Sequence, residues 1–162
     1  MSQKRIGIGF VGGGFITRFH IQSMIGVRNC DVLGVMSRTR SSAEESASLA
    51  RTIGVGDAKV YNTVTEMVEE PSIDALWICA PNFTRLEIME EIYNAIDSGK
   101  GELIGVTCEK PLGRNVKEAK KVLELTQKAG LLDGYLENQV FAPSVTRGKE
   151  IIWSRGAKTT GR

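Results

Sequence analysis

Short apolar runs and longer stretches of helical periodicity take turns along the chain. The run from Arg5 to Val11 is short and apolar, as a buried strand is, and it enters the cluster Gly12-Gly13-Gly14. It leaves with Phe15 and Phe19, and Ile16 and His20, four apart, which predicts a helix from Phe15 to about Ile25. Asp31 to Met36 reads as a second strand, and Ser41-Ser42-Ala43-Glu44-Glu45 supplies a hydroxyl cap and early acids for a second helix through Ala47, Leu49 and Ala50. Val60-Tyr61 is a weak short strand, and Thr63 to Glu70 a short helix ended by Pro71. Ile73 to Ala80 is a strand stopped by Pro81-Asn82, and Phe83 to Ser98 a helix closed by Gly99. Leu103 to Cys108 is a strand, Asn115 to Ala129 a helix stopped by Gly130, and Leu131 to Glu137 a last strand. Strands separated by helices at this spacing demand parallel crossovers, hence an α/β fold built on a doubly wound parallel sheet.

Composition changes little in that picture. A chain of 162 residues with 41% hydrophobic and 25% charged residues suits one ordinary globular domain with a core of its own. No run reaches the ~20 apolar residues of a membrane helix, and the N-terminus lacks the apolar core of a signal peptide, so the expected location is cytoplasmic. Cys30, Cys79 and Cys108 are odd in number and scattered, two of them inside apolar strands, which reads as reduced core thiols. With one histidine in the chain, no zinc site is expected. The net charge of +2 is uneven: residues 1–143 carry 16 basic and 18 acidic side chains, residues 144–162 carry 5 and 1. The basic end has no interleaved aromatics beyond Trp153, so it reads as a solvated terminus rather than a nucleic-acid site.

The candidate chemistry starts at the glycine turn. Glycines where a strand turns into a helix let main-chain N–H groups and the positive end of the helix dipole face an anion closely, and the natural anion is a pyrophosphate. The dinucleotide fingerprint G-x-G-x-x-G maps onto Gly12-Gly13-Gly14-Phe15-Ile16-Thr17, with threonine in place of the third glycine. Flavodoxin-like and methyltransferase folds use similar turns; a methyltransferase also calls for an acidic residue closing the second strand. Here that strand ends in Ser37-Arg38-Thr39-Arg40, with no carboxylate before Glu44. A carboxylate at this position would hold the ribose hydroxyls of NAD, whereas guanidiniums and hydroxyls suit a 2′-phosphate. The preferred cofactor is therefore NADP(H), with NAD(H) the alternative. Two more stretches stand at strand carboxyl ends, where open α/β sheets bind ligands: Ala80-Pro81-Asn82 and Cys108-Glu109-Lys110-Pro111.

Taken in order, the glycine turn, the Pro81-Asn82 turn and the Glu109-Lys110-Pro111 turn resemble those of the Gfo/Idh/MocA oxidoreductases, over Arg5 to about Pro143. The resemblance implies a Rossmann-type cofactor domain over residues 1–143 of an NAD(P)-dependent, homo-oligomeric enzyme that moves hydride to or from a sugar, cyclitol or polyol. It implies cofactor contacts from Gly12, Gly14, Phe15, Ile16, Ser37, Arg38, Pro81, Asn82, Glu109 and Lys110, and makes Lys110 the catalytic residue, with its bond to Pro111 cis.

The sequence departs from the family's pattern at Arg85, where a histidine is common three residues after the Pro-Asn turn; His20 matches a common family histidine but reads as a packing residue. Residues 144–162 read as a connecting helix, over Ser144 to Trp153, and a basic tail that would lead into a second, substrate domain, mostly antiparallel sheet, with a further catalytic histidine. The expectation is thus a fragment that binds cofactor but turns over poorly alone, against the alternative of a non-catalytic dinucleotide sensor or scaffold.

Overall fold

A computed structural model describes residues 5–155. Its strands β1 (Ile6–Val11), β2 (Cys30–Met36), β3 (Lys59–Tyr61), β4 (Ala75–Ile78), β5 (Gly105–Glu109) and β6 (Leu132–Leu136) form one sheet in the order β3-β2-β1-β4-β5-β6. All the pairings are parallel. The helices are α1 (Phe15–Ser23), α2 (Arg40–Thr52), α3 (Val64–Glu69), α4 (Arg85–Asp97), α5 (Val116–Lys128) and α6 (Pro143–Ser154). This is the doubly wound arrangement that the alternation of patterns predicts.

The period-two alternation of a strand explains how one sheet builds two cores. Phe10 points to one face, where Ile21 of α1 and Ala43, Ala47 and Ala50 of α2 cover it. Val11, the next residue, points to the other, where α3, α4 and α5 supply Met67, Met89, Ile92, Val122 and Leu125. Right-handed crossovers put the helices that follow β1 and β2 on one face and those that follow β4 and β5 on the other. The chain therefore changes direction between β1 and β4, and a crevice opens at their carboxyl ends.

The element boundaries move for identifiable reasons. Strand four was expected from Ile73 to Ala80, but its ladder runs only over Ala75–Ile78, where β1 and β5 offer partners. The first helix ends at Ser23 and tightens into a 3-10 turn over Met24–Gly26; Asn82–Thr84 is likewise a 3-10 turn before α4. Ser41 and Ser42 do not cap α2: the helix begins at Arg40 behind Thr39, with no side-chain cap, and both serines lie inside its first turn. Caps do form elsewhere, from Thr63 to the Glu66 N–H and from Asn115 to the Glu118 N–H. Gly99 and Gly130, in the left-handed region, close α4 and α5 as expected.

The last helix, α6, contains the expected Ser144 to Trp153 stretch but buries none of its residues. The basic tail beyond Arg155 falls outside the described residues. Among the described residues no helix is long and apolar enough to cross a membrane.

Candidate functional site

The crevice at the carboxyl ends of β1, β2 and β4 is a cleft of about 630 Å³. Its floor is the glycine turn. Gly12 has φ +116°, and a Cβ there would stand 2.8 Å from the Ala80 backbone N, so glycine is required both by conformation and by the turn after β4. The Gly12 N–H donates to the Met36 carbonyl at 2.7 Å, which ties the turn to the end of β2. Thr17, in the place of the third fingerprint glycine, is fully buried and donates its hydroxyl to the Gly12 carbonyl at 2.8 Å. The Gly13 carbonyl accepts from Arg18 at 3.2 Å and from Ser46 at 3.3 Å.

With the acceptors of the turn occupied by the protein, what remains for a ligand is donors. Gly14 is the N-cap of α1, with no side-chain cap and no acidic residue in the first turn, so the positive end of the dipole is uncompensated. A Cβ added at Gly14 would meet no protein atom within 4 Å. The protein itself does not need a glycine there; a bulky anion approaching the helix end would.

The structure gathers Gly12, Gly14, Ser37, Arg38 and Pro81 around the cleft, with Thr39, Ser42 and Asn62. It leaves Phe15, Ile16, Asn82, Glu109 and Lys110 outside that lining. Phe15 is 77% exposed at the mouth of α1. Arg40 also stands apart: its guanidinium donates to Glu44 and, at 2.9 Å, to Asn62, so it orients a lining residue from behind. Arg38 is the cation that reaches the lining from the end of β2. Cys79 lines the cleft as well, but burial pushes its thiol up to about 12 and that of Cys108 up to about 11, which keeps both protonated and unreactive at neutral pH.

Around Lys110 the structure shows more than the sequence does. The Lys110-Pro111 bond is cis, as the resemblance implies. Glu109 ends β5 with a buried carboxylate: one oxygen accepts from the Lys110 N–H at 3.0 Å, and the other lies 2.8 Å from His20 Nε2. The His20 ring packs on Trp77, centroids 5.1 Å apart, and Trp77 stacks on Phe10. His20 is therefore a packing residue, as expected, and also the partner of the residue that precedes Lys110.

Arg85 also lines the cleft, from the start of α4. At the first position of α4 and only 4% exposed, it donates to the carbonyls of Ala80, Glu109 and Lys110. Its one signal in the sequence is its position, three residues after Asn82.

Comparison with known proteins agrees with this geometry. The profile of an oxidoreductase family with an NAD-binding Rossmann fold, Gfo/Idh/MocA, matches residues 6–134. The chain is 30% identical over 126 residues to the 1,5-anhydro-D-fructose reductase of Ensifer adhaerens, covering 78% of this chain and 34% of that protein. It is 26% identical over 125 residues to the myo-inositol 2-dehydrogenase of Thermotoga maritima, covering 77% and 34%. The crystal structure of GenD2 from gentamicin A biosynthesis, in complex with NAD, superposes with a TM-score of 0.78 at 24% identity, covering 99% of this chain and 42% of that one, a likeness of fold. The chain thus spans about a third of the length of these two curated relatives.

Proposed function

This chain belongs to the Gfo/Idh/MocA oxidoreductase family, as an NAD-binding oxidoreductase domain, and we propose that it serves an enzyme that moves hydride to or from a sugar, cyclitol or related polyol, with NADP(H) preferred over NAD(H). The observation that carries this reading is the cleft, where a glycine turn with an uncapped helix end and an arginine without a competing carboxylate face one space. The pyrophosphate lies against Gly12 and Gly14, and the open space at Gly14 fits it. Ser37 and Arg38 hold the 2′-phosphate, the guanidinium through charge-assisted bonds. Pro81 borders the middle of the cofactor, with Asn82 beside it.

A nicotinamide dinucleotide, when bound, supplies the donor or acceptor of hydride. The chain's own contribution to the reaction is Lys110, which is exposed at the end of β5. An ammonium beside the substrate oxygen stabilises the alkoxide that develops during reduction and delivers the proton to it. The names of the relatives support the substrate class, since one reduces an anhydrosugar and another is a dehydrogenase of a cyclitol.

Isothermal titration of the 162-residue chain tests the cofactor assignment. NADPH should bind more tightly than NADH by about tenfold, the scale of one charge-assisted phosphate contact. Equal affinities for the two would overturn the preference for NADP(H) and leave a dinucleotide site indifferent to the 2′-phosphate.

A further inference from the structure

Arg85 breaks two rules at once. A cation at the first position of a helix faces the positive end of the macrodipole, and a guanidinium removed from water calls for compensation. Arg85 heads α4, is 4% exposed, and has only carbonyl oxygens as its hydrogen-bond partners. Nε donates to the Ala80 carbonyl at 3.1 Å, one terminal nitrogen to the Glu109 carbonyl, and the other to the Lys110 carbonyl at 3.2 Å. The rigid fork of donors spans two loops, the turn after β4 and the turn after β5.

Those loops have different neighbours. Ala80 lies against Gly12, on the floor of the cleft. Lys110 lies past the edge of the cleft, at the end of β5. In the sheet, β2 and β5 are three strand spacings apart, so the Arg38 and Lys110 ends of the site are separated by about 14 Å. No side chain other than Arg85 is seen to bond both the floor of the cleft and the Lys110 turn among the described residues.

We infer that Arg85 is a positioning residue: it fastens the Lys110 turn to the floor of the dinucleotide cleft and so fixes where the far half of the cofactor meets Lys110. The inference rests on the cofactor reading above. It assigns Arg85 to the end of the ligand remote from Arg38, and that end alone carries the nicotinamide. Truncating Arg85 therefore damages contacts with the nicotinamide half and spares those with the adenosine half.

The test compares each dinucleotide with its counterpart lacking nicotinamide, NADH with ADP-ribose and NADPH with 2′-phospho-ADP-ribose. All four are titrated into the native chain, Arg85→Ala and Arg85→Lys, with a thermal melt of each protein. Arg85→Ala should weaken the dinucleotides about tenfold, the scale of lost hydrogen bonds to a charged group, and change the nicotinamide-free ligands by less than about twofold. Arg85→Lys keeps the charge but not the fork, so it should show the same asymmetry reduced to about threefold. If Arg85→Ala does not fold, the lysine variant carries the comparison. Equal losses for a dinucleotide and its counterpart would overturn the inference and leave Arg85 a structural residue, and unchanged affinities throughout would overturn it too. A native chain that binds none of the four ligands would instead refute the cofactor reading, and this inference with it.

Discussion

The two ends of the site are held by different means. At the glycine turn, shape is fixed by the backbone: the positive φ of Gly12, the absence of a Cβ against Ala80, and the Gly12 N–H bonded to Met36. At the Lys110 turn, shape is fixed by side chains from distant parts of the chain, with His20 of α1 meeting Glu109 and Arg85 of α4 gathering the carbonyls of Glu109 and Lys110. A backbone turn is local and tolerates almost no substitution at its critical residue, whereas a network of side chains can be changed one partner at a time. On the function proposed above, the first end meets the phosphate that every dinucleotide shares, and the second is the one that can be retuned as the substrate differs.

Gly12→Ala puts the largest strain on this contrast. It imposes a strained φ and a contact of 2.8 Å with backbone, so stability to urea should fall by about 3 kcal/mol. A loss under 1 kcal/mol would show that the turn is less rigid than its geometry says. At the other end, His20→Leu strands the buried carboxylate of Glu109 and should cost about 2 kcal/mol. Adding Glu109→Gln to it should recover part of that loss, because the stranded charge is gone; a double variant no better than the single one would break the view that the pair acts as a unit. On the NADP(H) assignment proposed above, Arg38→Asp should lower NADPH affinity about tenfold with little change in the melting temperature, since the guanidinium lines the cleft.

Cys79 and Cys108 give a pH signature in the region between the two ends. Their thiols titrate higher folded, at about 12 and about 11, than unfolded, near 9. The folded state thus holds protons that the unfolded state has already lost, and stability present below pH 9 should decline as pH rises towards 12. Chemical denaturation at pH 8, 9 and 10 reads this, and Cys79→Ala should flatten the decline. The smallest effect on folding belongs to Gly14→Ala. With nothing near the added Cβ, stability should change by no more than about 0.5 kcal/mol, while titration should read a lower cofactor affinity, because the methyl group crowds the helix end.

Sequence patterns and structure agree best where the physics is local. The order of strands and helices, the glycine stops of α4 and α5, and the approach of Ser37 and Arg38 to the glycine turn follow from periodicity, turn chemistry and the rule that ligands sit at strand carboxyl ends. The disagreements are equally instructive. Ser41 and Ser42 looked like caps because hydroxyls before acids often are, yet α2 starts at Arg40 behind Thr39, two residues ahead of where a Ser41 cap would place it. Arg40 looked equivalent to Arg38, yet the turn of α2 points it to Glu44 and Asn62.

By itself, then, the sequence determined an α/β sheet with a dinucleotide turn after β1 and a lysine at the end of β5, because those features are encoded in residues close to one another. Only the tertiary structure decided what surrounds Lys110. His20 and Glu109 are 89 residues apart in the chain, and Arg85 and Glu109 are 24 apart. Such partners meet only once β1, β4 and β5 have paired and α1 and α4 have closed on opposite faces, and no local pattern records which side chains that assembly brings within hydrogen-bonding distance.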